Sequence, residues 1–236
     1  MSGLIESATA ILSASERRLE IISQNISNVS TPGYKRQIGF AELVRGPASS
    51  DAEQLLIDAK SDFAQAKLTS TGNPLDLAIS GGGFFQLRDG ARILYSRQGQ
   101  FRRADDGTIV TVLGHVLQQA GGGDLVLDRA SVEILEDGTV LDQGQPVARI
   151  GVFAPASGVR LEGAGGSVFS AGAVPIEEAG SALIRQGMLE ASNVETGDEM
   201  VAMMSAMRHA EGGARLVQLY DELMGRAITS LGQASR

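Results

Sequence analysis

The sequence predicts an α+β protein, with a long helix at each end and a central all-β domain of short hairpin strands. Three observations predict it. Apolar residues recur at seven-residue spacing in both terminal segments. Between Gly72 and Gly187 lie 21 of the 30 glycines. Within that stretch Asp89-Gly90, Asp106-Gly107 and Asp137-Gly138 each sit between short apolar or β-branched runs. That is the sequence form of a tight hairpin, because glycine accepts the positive φ that such turns need.

At the N-terminus, Ile5, Leu12, Leu19 and Ile26 are spaced by seven, and Ala8, Ser15, Ile22 and Val29 follow each by three. This is an a/d seam. Thr31-Pro32-Gly33 stops the helix: Pro32 disfavours helical geometry at Thr31, and Gly33 permits a turn. At the C-terminus, Met203, Ala210, Val217, Met224 and Leu231 are spaced by seven. Met200, Met207, Ala214, Asp221 and Ile228 take the complementary position, with Asp221 as its one break. The residues expected to pack helices between subunits are Ile5, Leu12, Leu19, Ile22, Ile26, Val29, Met200, Met203, Met207, Val217, Met224, Ile228 and Leu231. Lone helices are marginal in water, so each seam needs a partner. Two helices make only a thin bundle, so these ends dock on other subunits or stay partly disordered until they do.

In the centre, the runs Ile93–Tyr95, Thr108–Leu113, Asp124–Leu127, Val132–Leu135 and Ala148–Phe153 supply strands. Aromatic residues are only 4% of the chain, so its core is mostly aliphatic, with Phe84, Phe85, Phe101 and Phe153 as the larger pieces. The expected layout is an N-terminal helix over 1–34, an extended connector over 35–71, the β domain over 72–185, and a connector and helix over 186–236.

No catalytic, cofactor-binding or metal-binding residues are predicted. With no Cys there are no disulfides, thiolate metal sites or cysteine nucleophiles. His115 and His209 are too few for a multi-histidine metal site. A formal charge of −8 argues against nucleic acid, and no apolar run is long enough to span a bilayer. The N-terminus has no basic stretch leading into an apolar run, so no cleaved secretory signal is expected. Gly81-Gly82-Gly83 lacks the Lys and Ser/Thr of a phosphate loop and reads as a tight bend before the Phe84-Phe85 strand. Asp89, Asp105 and Asp106 read as solvated turns. Glu177-Glu178, and Glu195 with Asp198-Glu199, read as exposed charge at helix starts. Arg17-Arg18 and Lys35-Arg36 read as a solvated helix face and a turn, or as inter-subunit pairing sites.

Four blocks carry a family resemblance. Ser23 to Arg36, with Asn25, Asn28, Thr31, Pro32, Gly33, Tyr34, Lys35 and Arg36, resembles the "NNLANxxTPGYKR" signature of flagellar basal-body rod and hook proteins. Gly72-Asn73-Pro74-Leu75-Asp76, with Gly83-Phe84-Phe85, resembles "GNPLDxAIxGxGFF". Tyr95-Ser96-Arg97-Gln98-Gly99-Gln100-Phe101 and the Asp106-Gly107 stretch after it resemble "YTRxGxF" and "DGxLVTxxGxxL". Gln186-Gly187-Met188-Leu189-Glu190-Ala191-Ser192-Asn193-Val194 resembles "QGxLExSNV". The chain departs from the family pattern at Gly82 and over Arg208 to Gly213, where paired glycines weaken a helix.

The resemblance implies a structural axial component of the flagellar rod, with terminal helices paired as a coiled coil that packs on neighbouring subunits. It implies a connector at the TPGYKR segment and an outer β domain. The implied partners are other copies, neighbouring rod proteins and the flagellar type III export apparatus, with no small-molecule substrate and no membrane insertion. The implied location is the periplasmic rod of the basal body. Length and the single modest β region point to the proximal rod. The alternatives are the distal rod and a soluble β-domain binding module dimerised by its helices.

Overall fold

The computed structural model describes residues 2–45, 53–129, 131–156, 161–172, 174–180 and 182–234. Of residues 2–6, 42–45, 53–56, 227, 228 and 230–234 it describes the backbone alone, so the side chains of Ile5, Ile228 and Leu231 lie outside the described residues. Two compact units divide the chain. One comprises Met1–Ser27, Gln37–Asp62 and Glu195–Arg236, the other Asn28–Arg36 and Phe63–Val194.

The first unit holds helix α1 (Ser2–Ser27), a hairpin of β1 (Gln37–Arg45) and β2 (Glu53–Ser61), and helix α2 (Thr196–Ala234). The hairpin runs in unbroken antiparallel register from Gln37 opposite Ser61 to Arg45 opposite Glu53. The sequence predicts an extended connector over 35–71, and the structure pairs two stretches of it as this hairpin. Ile57 and Ala59, two apart and so on one face of β2, join Ala14 and Ile21 of α1 in a small apolar cluster. Helix α1 therefore buries two faces. Ala8, Ser15 and Ile22 of the predicted seam are buried and Leu12, Leu19 and Ile26 half-buried, while Ala14, Ile21 and Asn25 are buried as well. The helix stops at Ser27, before Val29. There the Asn28 carbonyl accepts from the Thr31 amide at 3.1 Å, and the Thr31 hydroxyl donates to Asn28 Oδ1 at 3.1 Å.

Helices α1 and α2 run antiparallel. Asn25 reaches Glu199, and Gly213 meets Leu12 and Ile11. A Cβ on Gly213 would lie 3.1 Å from Leu12 Cγ and 3.3 Å from Ile11 Cγ2. The paired glycines thus do not end α2, and Gly213 lets the helices approach closely. Half of the predicted α2 seam faces inward: Met203, Ala210, Val217 and Met224 are half-buried. The complementary set is shifted by one residue. Glu199, Ala206, Gly213 and Tyr220 are the buried or half-buried positions, whereas Met200, Met207, Ala214 and Asp221 are exposed. Glycine and alanine at 213 and 206 fit a close approach that Met200 and Met207 would obstruct.

The second unit is β-rich. Its strands are β3 (Leu68–Ser70), β4 (Leu77–Ser80), β5 (Phe84–Asp89), β6 (Arg92–Ser96), β7 (Phe101–Arg103), β8 (Ile109–Thr111), β9 (Val116–Leu117), β10 (Glu133–Ile134), β11 (Thr139–Asp142), β12 (Gln145–Arg149), β13 (Val152–Pro155), β14 (Glu162–Gly165), β15 (Val168–Ser170), β16 (Ile176–Glu178), β17 (Leu183–Gln186) and β18 (Met188–Glu190). The main sheet has the order β14-β15-β6-β5-β9-β8-β7, with β13 pairing β5 and β16; β10-β11-β12 form a second sheet, and β4 pairs β17 as β3 pairs β18. Glu177 and Glu178 lie on β16 and not at a helix start. Residues Asp124–Leu127 make bridges and no named strand.

All three Asp-Gly pairs turn hairpins, between β5 and β6, β7 and β8, and β10 and β11. Two of them share one chemistry. Asp106 Oδ1 accepts from the Thr108 amide and hydroxyl at 3.0 and 2.6 Å, and Asp137 accepts from the same groups of Thr139 at 2.9 and 3.0 Å. The glycine after each carries the positive φ, +89° and +86°. The core splits in two. Phe85 and Phe101 meet edge-on at 5.4 Å within the larger aliphatic cluster. Phe84 joins Phe169 and Phe63 in a smaller one, with Phe153 against it.

Several carboxyls are held ionised. Hydrogen bonds from Arg88 and then Gln118 hold Asp124 below its ordinary value of 3.8, and the Thr108 and Thr139 contacts do the same for Asp106 and Asp137. A carboxyl whose folded pKa is depressed adds stability above its unfolded pKa and loses it as pH falls through the folded one. The urea midpoint should therefore drop as pH falls below about 4, and Asp124→Asn should flatten that drop. An acid limb identical in the variant and the parent would contradict the assignment.

Candidate functional site

The sequence blocks singled out above converge in the second unit on one carboxylate. Strand β18 carries Glu190 opposite Leu68 of β3, with its side chain fully buried. Glu190 Oε1 accepts from Lys35 Nζ at 2.7 Å and from the Ala66 amide at 2.8 Å. Its Oε2 accepts from Arg97 Nη1 at 3.1 Å. Lys35 Nζ also donates to the Ala64 carbonyl at 2.7 Å, and Arg97 Nη2 to the Gly81 carbonyl at 2.6 Å. The Arg97 guanidinium lies over the Phe84 ring, 5.5 Å from its centre. Burial pushes Arg97 below its ordinary pKa, while the charge and hydrogen bond of Glu190 raise it. Lys35 is thus no solvated turn residue, and its partner is in its own chain.

The main chain is bound here as firmly as the side chains. The Gly33 amide donates to the Glu190 carbonyl at 2.8 Å, and the Arg36 amide to Asn193 Oδ1 at 2.6 Å. Tyr34, between them, has no exposed surface. Gly33 has φ +68°, and a Cβ there would fall on the backbone of Arg97 and Gln98. Only glycine meets both conditions. The GNPLD block joins the same fabric. Asp76 accepts from Thr71 Oγ1 at 2.7 Å and Asn73 Nδ2 at 3.1 Å, and its carbonyl accepts from the Gly187 amide at 2.8 Å. The Leu77 amide donates to the Gly99 carbonyl at 2.9 Å. Asn25 is placed in the first unit, and Thr31 and Pro32 are half-buried in the turn after α1. Among the expected packing residues, Met200 and Met207 are about half-exposed, at 54% and 48%.

Sequence reasoning missed Glu190 and Arg97. The available signal was a lone acid in the short run Met188-Leu189-Glu190-Ala191, where a solvated charge has no reason to sit. Among the described residues, no group of three or more His, Asp and Glu is placed to hold a metal ion, and no helix is long and apolar enough to cross a membrane. Glu199, expected exposed, is buried in the first turn of α2.

The residues that the sequence blocks mark thus tie distant segments of the chain together. Comparison with known proteins gives the family. Residues 5–35 match the model described as "Flagella basal body rod protein", residues 78–141 that of the "Flagellar hook protein FlgE/F/G D1 domain", and residues 185–230 that of the "Flagellar basal body rod FlgEFG protein C-terminal". The flagellar basal-body rod protein FlgF of Caulobacter vibrioides is 30% identical over 92% of this chain and 93% of its own. FlgF of Salmonella typhimurium is 29% identical over 96% and 97%, and FlgG of Bacillus subtilis 28% identical over 90% and 93%. The chain belongs to the flagellar basal-body rod protein family.

Removing one partner of a buried ion pair leaves uncompensated charge at a cost of about 3–5 kcal/mol. Glu190→Gln should lower the unfolding free energy by about that much, read by urea denaturation. Gly33→Ala should be destabilising even though it adds only one methyl. A Gly33→Ala chain as stable as the parent would show that residues 33 and 97–98 do not meet.

Proposed function

We propose that the protein is a structural, non-enzymatic axial component of the flagellar basal-body rod, located in the periplasm and built into a filament of its own copies and neighbouring rod proteins. In this reading the terminal helices pair as a coiled coil and also pack on adjacent subunits. The observation that carries it is the surface of α2. Met200, Val201, Met204 and Met207 are exposed in its first half, and Leu216, Leu219 and Leu223 in its second. At about 100° per residue, these patches flank the inward stripe on opposite sides. A helix with apolar surface on three sides suits burial among several neighbours, and contacts that do not close on themselves extend into a helical assembly. The family relationship supports the same role and passage through the flagellar export apparatus. Length, the single β region and the relatives named FlgF favour a proximal place in the rod.

The triple variant Leu216→Ser, Leu219→Ser, Leu223→Ser should change the stability of the free chain by no more than about 0.5 kcal/mol per site, as exposed positions do. In cells it should abolish rod completion and swimming. Normal swimming would overturn the packing role. Cross-linking from α2 in intact basal bodies should reach other rod subunits, and contacts confined to the hook-side junction would instead assign the distal rod.

A further inference from the structure

We propose that Asn25 and Glu199 set the register of the α1–α2 pair, through a buried amide–carboxylate contact that only one alignment of the helices allows. The proposal rests on the helix pairing advanced above and adds what fixes it.

Asn25 and Glu199 are each only 1% exposed. Asn25 Nδ2 donates to Glu199 Oε2 at 3.1 Å and to the Gln37 carbonyl at 2.9 Å, and Asn25 Oδ1 accepts from the Gln37 amide at 2.9 Å. The two bonds to Gln37 hold the amide against the first residue of β1, so its remaining hydrogen-bonding direction is fixed. Glu199 lies in the first turn of α2, where the exposed amides of the helix start favour a negative charge. One side-chain amide therefore joins α1, β1 and α2.

The rest of the seam discriminates poorly. Ala8 and Ser15 on α1, and Ala206, Ala210 and Gly213 on α2, are small, so a slide of one heptad, about 10.5 Å, in the direction that sets Leu12 opposite Ala206 brings small residues opposite small residues again. The polar pair does not tolerate the slide. With Leu12 opposite Gly213 and Asn25 beside Glu199 in the observed alignment, a slip in one direction sets Leu12 opposite Ala206, moves Glu199 to Arg18 and leaves Asn25 beyond the start of α2. A slip in the other sets Leu12 opposite Tyr220 and Asn25 opposite Ala206. Either separates the Asn25 amide from Glu199, and the second sets it against the methyl of Ala206, which is costlier than the lost bond alone. A single buried polar position that specifies register is an established use of such groups in paired helices.

The chain has no cysteine, so disulfide trapping in the full-length protein reads the register without background. Leu12→Cys with Gly213→Cys reports the observed alignment. Leu12→Cys with Ala206→Cys, and with Tyr220→Cys, report the two slips. In the otherwise unaltered chain the first pair should close and the other two should not. Adding Asn25→Ala or Glu199→Leu should lower closure of the first pair by at least about tenfold, the factor for losing one hydrogen bond to a charged group, and raise a slipped pair. Glu199→Gln, which keeps an acceptor oxygen, should preserve the observed alignment. Helix content by circular dichroism should stay at the parent's level in every variant. Failure of the first pair to close in the unaltered background would overturn the helix pairing itself. Closure there with the same preference in Asn25→Ala and Glu199→Leu would overturn the register role alone, as would loss of helix content.

Discussion

A carboxylate with no exposed surface governs the β-rich unit. The buried oxygens of Glu190 need hydrogen-bond donors, and these come from residue 35, residue 97 and the amide of residue 66. Lys35 and Arg97 also donate to the carbonyls of Ala64 and Gly81, and the Arg97 guanidinium lies over the face of Phe84. These contacts are useless one at a time, because a partly satisfied buried network is worse than an apolar one. They require the first turn after α1, the residue that follows β6 and the last strand, β18, to be in place together. Residues 28–36 belong to the β-rich unit for this reason, although residues of the helical unit flank them in sequence.

What the sequence disclosed follows from the range of the forces involved. The Asp-Gly turns were legible because their geometry is local: an aspartate, a glycine at positive φ and a threonine suffice. The heptads of α1 were legible as a pattern, but a pattern does not say how many faces a helix buries. Ile21 and Ala14 answer to Ile57 and Ala59, more than thirty residues away, and no local signal marks that pairing. The hairpin itself lacks a turn signal of the Asp-Gly kind, so it read as connector. The family blocks were recognised as strings, whereas their physical reason was hidden: Lys35 and Glu190 are 155 residues apart, and only the folded chain shows that each is there for the other.

The shift of one residue along α2 has the same origin. Hydrophobicity alone ranked Met200 and Met207 above Gly213 and Ala206 for the inward face. Close approach reverses that order, because the helix partner fills the space a side chain would take, as Leu12 and Ile11 do at Gly213. The methionines are then left outward, where an unbranched, polarizable side chain adapts to a surface that differs from neighbour to neighbour. A glycine pair that costs helix propensity in isolation is thus consistent with a helix stabilised mainly by what packs on it.

The two units differ in how complete they are. The β-rich unit has the larger core: most of its buried aliphatics form one cluster, and Glu190 is matched there by Lys35 and Arg97. The helical unit has a described apolar cluster of only Ala14, Ile21 and Ile57, with Ala59 against it, and it leaves seven large apolar side chains of α2 exposed. Apolar burial is the main favourable term in folding, so the β-rich unit draws most of its stability from its own core, and the helical unit has a larger unmet part displayed on its surface. Polar anchors such as Asn25 and Glu199 suit the second case. They add little net stability, yet they decide which of several weakly distinguished alignments is adopted, and alignment is what a helix must have settled when further partners complete its core.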